Sequence, residues 1–150
     1  MFDPSREAAR RFFFETWRKY RAGEPLAGLE TLAIEVILLH PEYHPVLAQP
    51  ERHLDRDYPV EAGETNPFLH LALHLALLEQ LSIDQPPGIR ARHTALLERG
   101  LAPHDAAHVL IDCLGEMVWH AQRHHTPPDA GIYFGCIDAQ LAKRPATGGR

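Results

Sequence analysis

A chain of 150 residues, 45% apolar and 23% charged, can bury one packed core and is short for two. Its formal charge of -5 argues against a chain whose main work is holding nucleic acid or anionic lipid. The two cysteines, Cys113 and Cys136, lie far apart with no C-x-x-C spacing, which excludes a disulfide scaffold and a thiolate zinc site and predicts free thiols in a reducing compartment.

Asp3-Pro4 supplies an N-cap and a first-turn proline, so a helix is expected over Arg6 to Arg21, carrying Phe12, Phe13, Phe14, Trp17 and Tyr20, with Gly23 as its stop. Pro25 opens a second, from Leu26 to about His40, ended by Pro41 and Pro45. An irregular stretch with one short helix then runs through Glu64. Asn66-Pro67 starts a third helix to about Ile83, closed by Asp84-Gln85-Pro86-Pro87-Gly88. A shorter helix spans Ile89 to Arg99 before Gly100, a fifth runs from Pro103 to about Arg123, and Asp129 caps a last one to about Lys143. No stretch alternates with period two for long enough to demand a strand. The fold class expected is all-α: a single-domain bundle of about five to six helices over residues 1–144, with 145–150 as a flexible tail.

The start lacks an apolar leader, and the most apolar stretches are broken by Glu35 or by His70 and His74, so a cytoplasmic chain without a membrane span is expected. Through Arg21 there are six Lys/Arg against three Asp/Glu, whereas Ala22 to Gly88 holds eleven acids and two arginines. The basic first helix could touch an anion; the plainer reading is a solvated face opposite the aromatic stripe.

Eleven histidines are a large share for this length. On the third helix His70 and His74 lie about 40° apart, both inside the sector rich in leucine. A buried imidazole must have a partner, and two rings one turn apart on the same side can share a metal ion. The plainer alternative makes each a hydrogen-bonded core residue. Glu35, set in Leu32-Ala33-Ile34-Glu35-Val36-Ile37-Leu38-Leu39, is expected to be buried and so to need a cation, a donor network or a proton; a rim position is the competing reading. His40 and His44 are further candidate ligands, although a helix C-terminus favours histidine in any case. His104, His108, Asp112, Glu116 and His120 recur every fourth residue on the fifth helix, opposite an apolar sector, as on an ordinary surface helix. His104 and His108 stand nearest its core boundary and are the next ligands, with Asp112 ligating or supporting a ligand and Glu116 as an outer base. His53, His93, His124 and His125 are read as surface residues.

Three or four helices each sending a His/Glu/Asp set inward is how bundles build metal sites. The candidate ligands are His70, His74, Glu35, His108, His104, His40, His44, Asp112 and Glu116, for iron or zinc, one or two ions per chain. An iron-dependent oxidoreductase or oxygen-handling protein is the leading expectation. Neither the dinuclear Glu-x-x-His signature nor H-E-x-x-H is present, and serine-nucleophile, P-loop and dinucleotide motifs are missing.

Phe12-Phe13-Phe14-Glu15-Thr16-Trp17-Arg18-Lys19, His40-Pro41-Glu42-Tyr43-His44, Asn66-Pro67-Phe68-Leu69-His70-Leu71 with His74, Glu79 to Ile89, and Cys113-Leu114-Gly115-Glu116-Met117 with Trp119 resemble a bacterial family catalogued as domain of unknown function 1841. The resemblance reaches to about Tyr133 and implies a small bacterial cytoplasmic protein, with no activity attached. Two other readings stand beside the metal protein: a non-catalytic interaction module with core histidines, and a mononuclear zinc hydrolase or thiol transferase on a DinB-like bundle. The partners expected are a metal ion and an unknown small molecule, with a homodimer left open.

Overall fold

A computed structural model describes residues 4–59 and 66–144, all of whose regular structure is helical. Eight α-helices appear among the described residues where five or six were expected. The surplus comes from prolines that break one stretch into separate single turns. Two compact units, 1–75 and 76–150, divide the chain within its fifth helix. The expected tail at 145–150 and the stretch 60–65 lie outside the described residues.

In the first unit α1 runs Pro4–Ala22 and ends at Gly23, whose φ of +72° a side chain would resist. Its buried stripe is Phe13, Phe14 and Trp17, packed toward α2 (Glu30–Leu38) and α3 (His44–Leu47). The second helix starts four residues later than expected, because Gly28 takes a left-handed φ of +58° and the Glu30 carboxylate accepts from the Ala27 amide. After α2 comes a 3-10 turn, Pro41–Tyr43, and after α3 the single turn α4, Pro50–His53. Pro41, Pro45 and Pro50 each sit in the first turn of one of these pieces, where a missing amide costs nothing.

Arg10 on α1 is only 2% exposed. Its guanidinium donates to the carbonyls of His53, Leu54 and Arg56 and lies 4.6 Å from the Phe68 ring centroid. It thereby closes the end of α4, whose last carbonyls have no helical partners.

The fifth helix, α5 (Pro67–Ile83), has the expected bounds, and Asn66 Oδ1 accepts from the amides of Phe68 and Leu69 at its start. In the second unit α6 (Ile89–Glu98), α7 (Pro103–His124) and α8 (Ala130–Ala142) pack pairwise around Leu96, Leu110, Leu114, Tyr133 and Ile137. The Asp84 carboxylate accepts from the amides of Gly88 and Arg90, joining the end of α5 to the start of α6. Asp129 caps α8 through the Gly131 amide.

Cys113 on α7 and Cys136 on α8 form a disulfide, which corrects the expectation of free thiols. Sequence separation was the wrong measure, because α7 and α8 pack as neighbours and bring the two sulfurs together.

Candidate metal centre

His40 follows the last turn of α2 and is 2% exposed. Its Nδ1 lies 2.8 Å from the Val36 carbonyl oxygen, one turn back. A carbonyl can only accept, so Nδ1 carries the proton and Nε2 presents a lone pair. That is the tautomer of a metal-ligating histidine whose second nitrogen is held by the backbone.

His70 and His74 project from α5, the first half-buried and the second 4% exposed. Their Nε2 atoms are 3.2 Å apart, and His70 Nε2 is also 3.2 Å from His40 Nε2. The rings meet edge to face, with centroids 4.5 to 4.9 Å apart, and one ring nitrogen of each lies within 4.8 Å of one from each of the other two. One proton on His70 Nε2 can be given well to only one of its two neighbours, whereas a cation takes all three lone pairs together. With metal–nitrogen bonds of about 2.0 to 2.1 Å, ligand nitrogens stand about 3.0 Å apart at a right angle and about 3.3 to 3.4 Å apart in a tetrahedron, so 3.2 Å suits a shared ion.

Tyr43 stacks nearly parallel to the His40 ring at 5.5 Å and stands edge-on to His70 at 6.0 Å. Burial first, and the Glu42 carboxylate second, hold its hydroxyl above the usual tyrosine range. The sequence reading passed over Tyr43, although it stands inside the His40–His44 motif that was singled out.

Two other nominated residues of the first unit, Glu35 and His44, stand apart from these three rings. Glu35 is exposed, against the expectation of burial: Ala33, Val36 and Ile37 form the buried face of a nine-residue helix, and Glu35 points away from it. His44 donates from Nε2 to the Ile37 carbonyl at 2.9 Å and stacks on Trp17 at 4.2 Å, so that nitrogen serves the backbone. In the second unit, His104 and His108 are half-buried on α7 with rings 4.1 Å apart, and Asp112 and Glu116 are exposed. Glu116 Oε2 stands 3.1 Å from Cys136 Sγ. The disulfide takes both sulfurs of the Cys113, Glu116 and Cys136 group.

His53 and His93 are half-buried, which corrects their reading as surface residues; His124 and His125 are exposed. Burial lowers the pKa of both half-buried rings, with Arg56 and Arg52 adding to the effect at His53. His53 Nδ1 is 2.8 Å from the Tyr58 hydroxyl.

The basic face of α1 offers little to an anion. Arg11 pairs with Glu7, Arg18 with Glu15 and Glu24, and Lys19 with Glu30. Hydrogen bonds from Arg18 keep the Glu15 and Glu24 carboxyls below the usual range.

These features define an all-helical protein whose clustered imidazoles could hold a metal ion. The chain belongs to the family described as Domain of unknown function (DUF1841), whose profile matches residues 5–139. No curated protein and no solved structure matches it. No described helix is long and apolar enough to cross a membrane.

Proposed function

We propose that the chain is a metal-binding protein in which His40, His70 and His74 hold one divalent ion through Nε2. The observation that carries this is the meeting of three imidazole nitrogens, two contacts of which are 3.2 Å. The carboxylates nominated with them, Glu35, Asp112 and Glu116, are exposed. An imidazole donor set supports a mononuclear site over a carboxylate-bridged pair, and favours zinc chemistry over an iron oxygen-handling centre. A zinc ion with an open position supplies Lewis-acid polarisation of a bound water or carbonyl group. The chain's own part is to fix the His40 tautomer through Val36 and to screen one side with Tyr43.

Elemental analysis of the chain purified after metal-replete growth tests this. One ion per chain is expected, lost in the His70→Ala, His74→Ala double variant and kept in Glu35→Gln. A wild-type chain without metal under those conditions refutes the proposal. That result favours the second reading, an interaction module, which draws on the exposed Leu38 and Leu39 at the end of α2 (44% and 58%). Two ions per chain, with iron in both, would refute the mononuclear zinc assignment.

A further inference from the structure

The second unit carries a group of different chemistry. Cys113 is 1% exposed on α7, while its disulfide partner Cys136 is half-buried on α8. Exposed Glu116, less than one turn beyond Cys113 on α7, places Oε2 3.1 Å from Cys136 Sγ. The residue before Cys136 is Gly135, which is exposed, and a Cβ built there would meet nothing within 4 Å. Cys113 is therefore the shielded residue of the pair, and Cys136 is the more exposed one, with a carboxylate beside its sulfur.

We propose that Cys113–Cys136 is a thiol–disulfide exchange site for an external dithiol, with Cys136 the sulfur attacked and Glu116 the proton acceptor. The first thiol of the dithiol gives its proton to the Glu116 carboxylate as its sulfur bonds to Cys136 Sγ. The Cys136–Cys113 bond breaks, and its electron pair leaves on Cys113 as a thiolate. The second thiol of the dithiol then attacks its own partner sulfur in the mixed disulfide and releases Cys136, which takes the proton held by Glu116. The second thiol's proton passes through water to Cys113. The dithiol ends as a disulfide and the protein pair as two thiols, so two electrons and two protons have moved. A carboxylate so placed helps a protonated thiol to attack and hinders one already ionised, since like charges repel.

The test uses the full-length folded chain and dithiothreitol. Wild-type protein is expected to be reduced at pH 7 without denaturant, and Glu116→Gln to react about tenfold more slowly or worse at that pH. At pH 9, where the attacking thiol is largely ionised, the variant is expected to match or exceed the wild type, which a merely structural role for Glu116 would not produce. Wild-type disulfide treated with reduced glutathione in place of dithiothreitol, and quenched with N-ethylmaleimide, should carry the glutathione adduct on Cys136 and the alkyl group on Cys113, located by peptide mass spectrometry. Reduction only after unfolding, an adduct on Cys113, or a Glu116→Gln rate unchanged at pH 7 would each overturn the proposal. None of these readouts depends on metal at His40, His70 and His74.

Discussion

Adding zinc to the metal-free chain should raise its thermal midpoint, and His74→Ala should remove most of that rise. An ion that binds only the folded state stabilises it by about 2.7 kcal/mol when free ion stands at about 100 times Kd. For a chain of 150 residues, about 2–4 °C per kcal/mol converts this to a shift of about 5–11 °C. Four-ligand zinc sites hold their ion with about 10–16 kcal/mol, or about 2.5–4 kcal/mol per ligand. Deleting one imidazole therefore weakens binding about 10²- to 10³-fold, and zinc at the wild-type working concentration no longer saturates the variant. His74 is 4% exposed, so His74→Ala also lowers the metal-free midpoint by leaving a cavity. The zinc-dependent difference is thus the quantity to read, by scanning calorimetry with and without the ion. His44→Ala is the control: it loses the Trp17 stack and the Ile37 carbonyl bond and melts earlier, yet should keep the full zinc shift. No shift in the wild type, an equal shift in His74→Ala, or its loss in His44→Ala would refute the reasoning.

Replacing Arg10 by Met keeps bulk but strips donors from three carbonyls, and urea unfolding should report a loss of about 3 kcal/mol or more. Asp129→Ala removes the α8 cap and should cost about 1 kcal/mol in the same assay. His53 and His93 should titrate below the ordinary histidine value in NMR experiments. Because folding favours their neutral forms, stability should be full above about pH 6.5 and fall on acidification from there toward their lowered folded values, where the unfolded chain binds more protons. The variants His53→Gln and His93→Gln should flatten that slope, and a slope unchanged in both would show that these rings do not set it.

The helix starts were written in local chemistry, which is why Pro67, Pro103 and Asp129 place α5, α7 and α8 within a residue or two. The His70 and His74 pair was legible for the same reason, since i,i+4 spacing inside a leucine stripe needs only one helix. Glu35 was misread because apolar neighbours on both sides look like burial until the helix proves to be nine residues long with its buried face at Ala33, Val36 and Ile37. His40 and His44 resembled one another in sequence, and only the backbone separates them. The first gives Nδ1 to a carbonyl and leaves Nε2 toward His70, whereas the second spends Nε2 on one. The cysteine pair could not be read from spacing, because its partners belong to different helices whose packing is tertiary.

The end of α2 has a reach beyond its own turn. With Leu38 as its last residue and Pro41 opening the next piece, residue 40 falls where its ring can fold back onto Val36 while its other nitrogen faces His70. Were α2 to continue, each added helical residue would swing that side chain by about 100° and the imidazole would leave the other two. A punctuation mark in the backbone thus governs what the side chains can grasp, and the length of this short helix is as much a part of the grip as the histidines themselves.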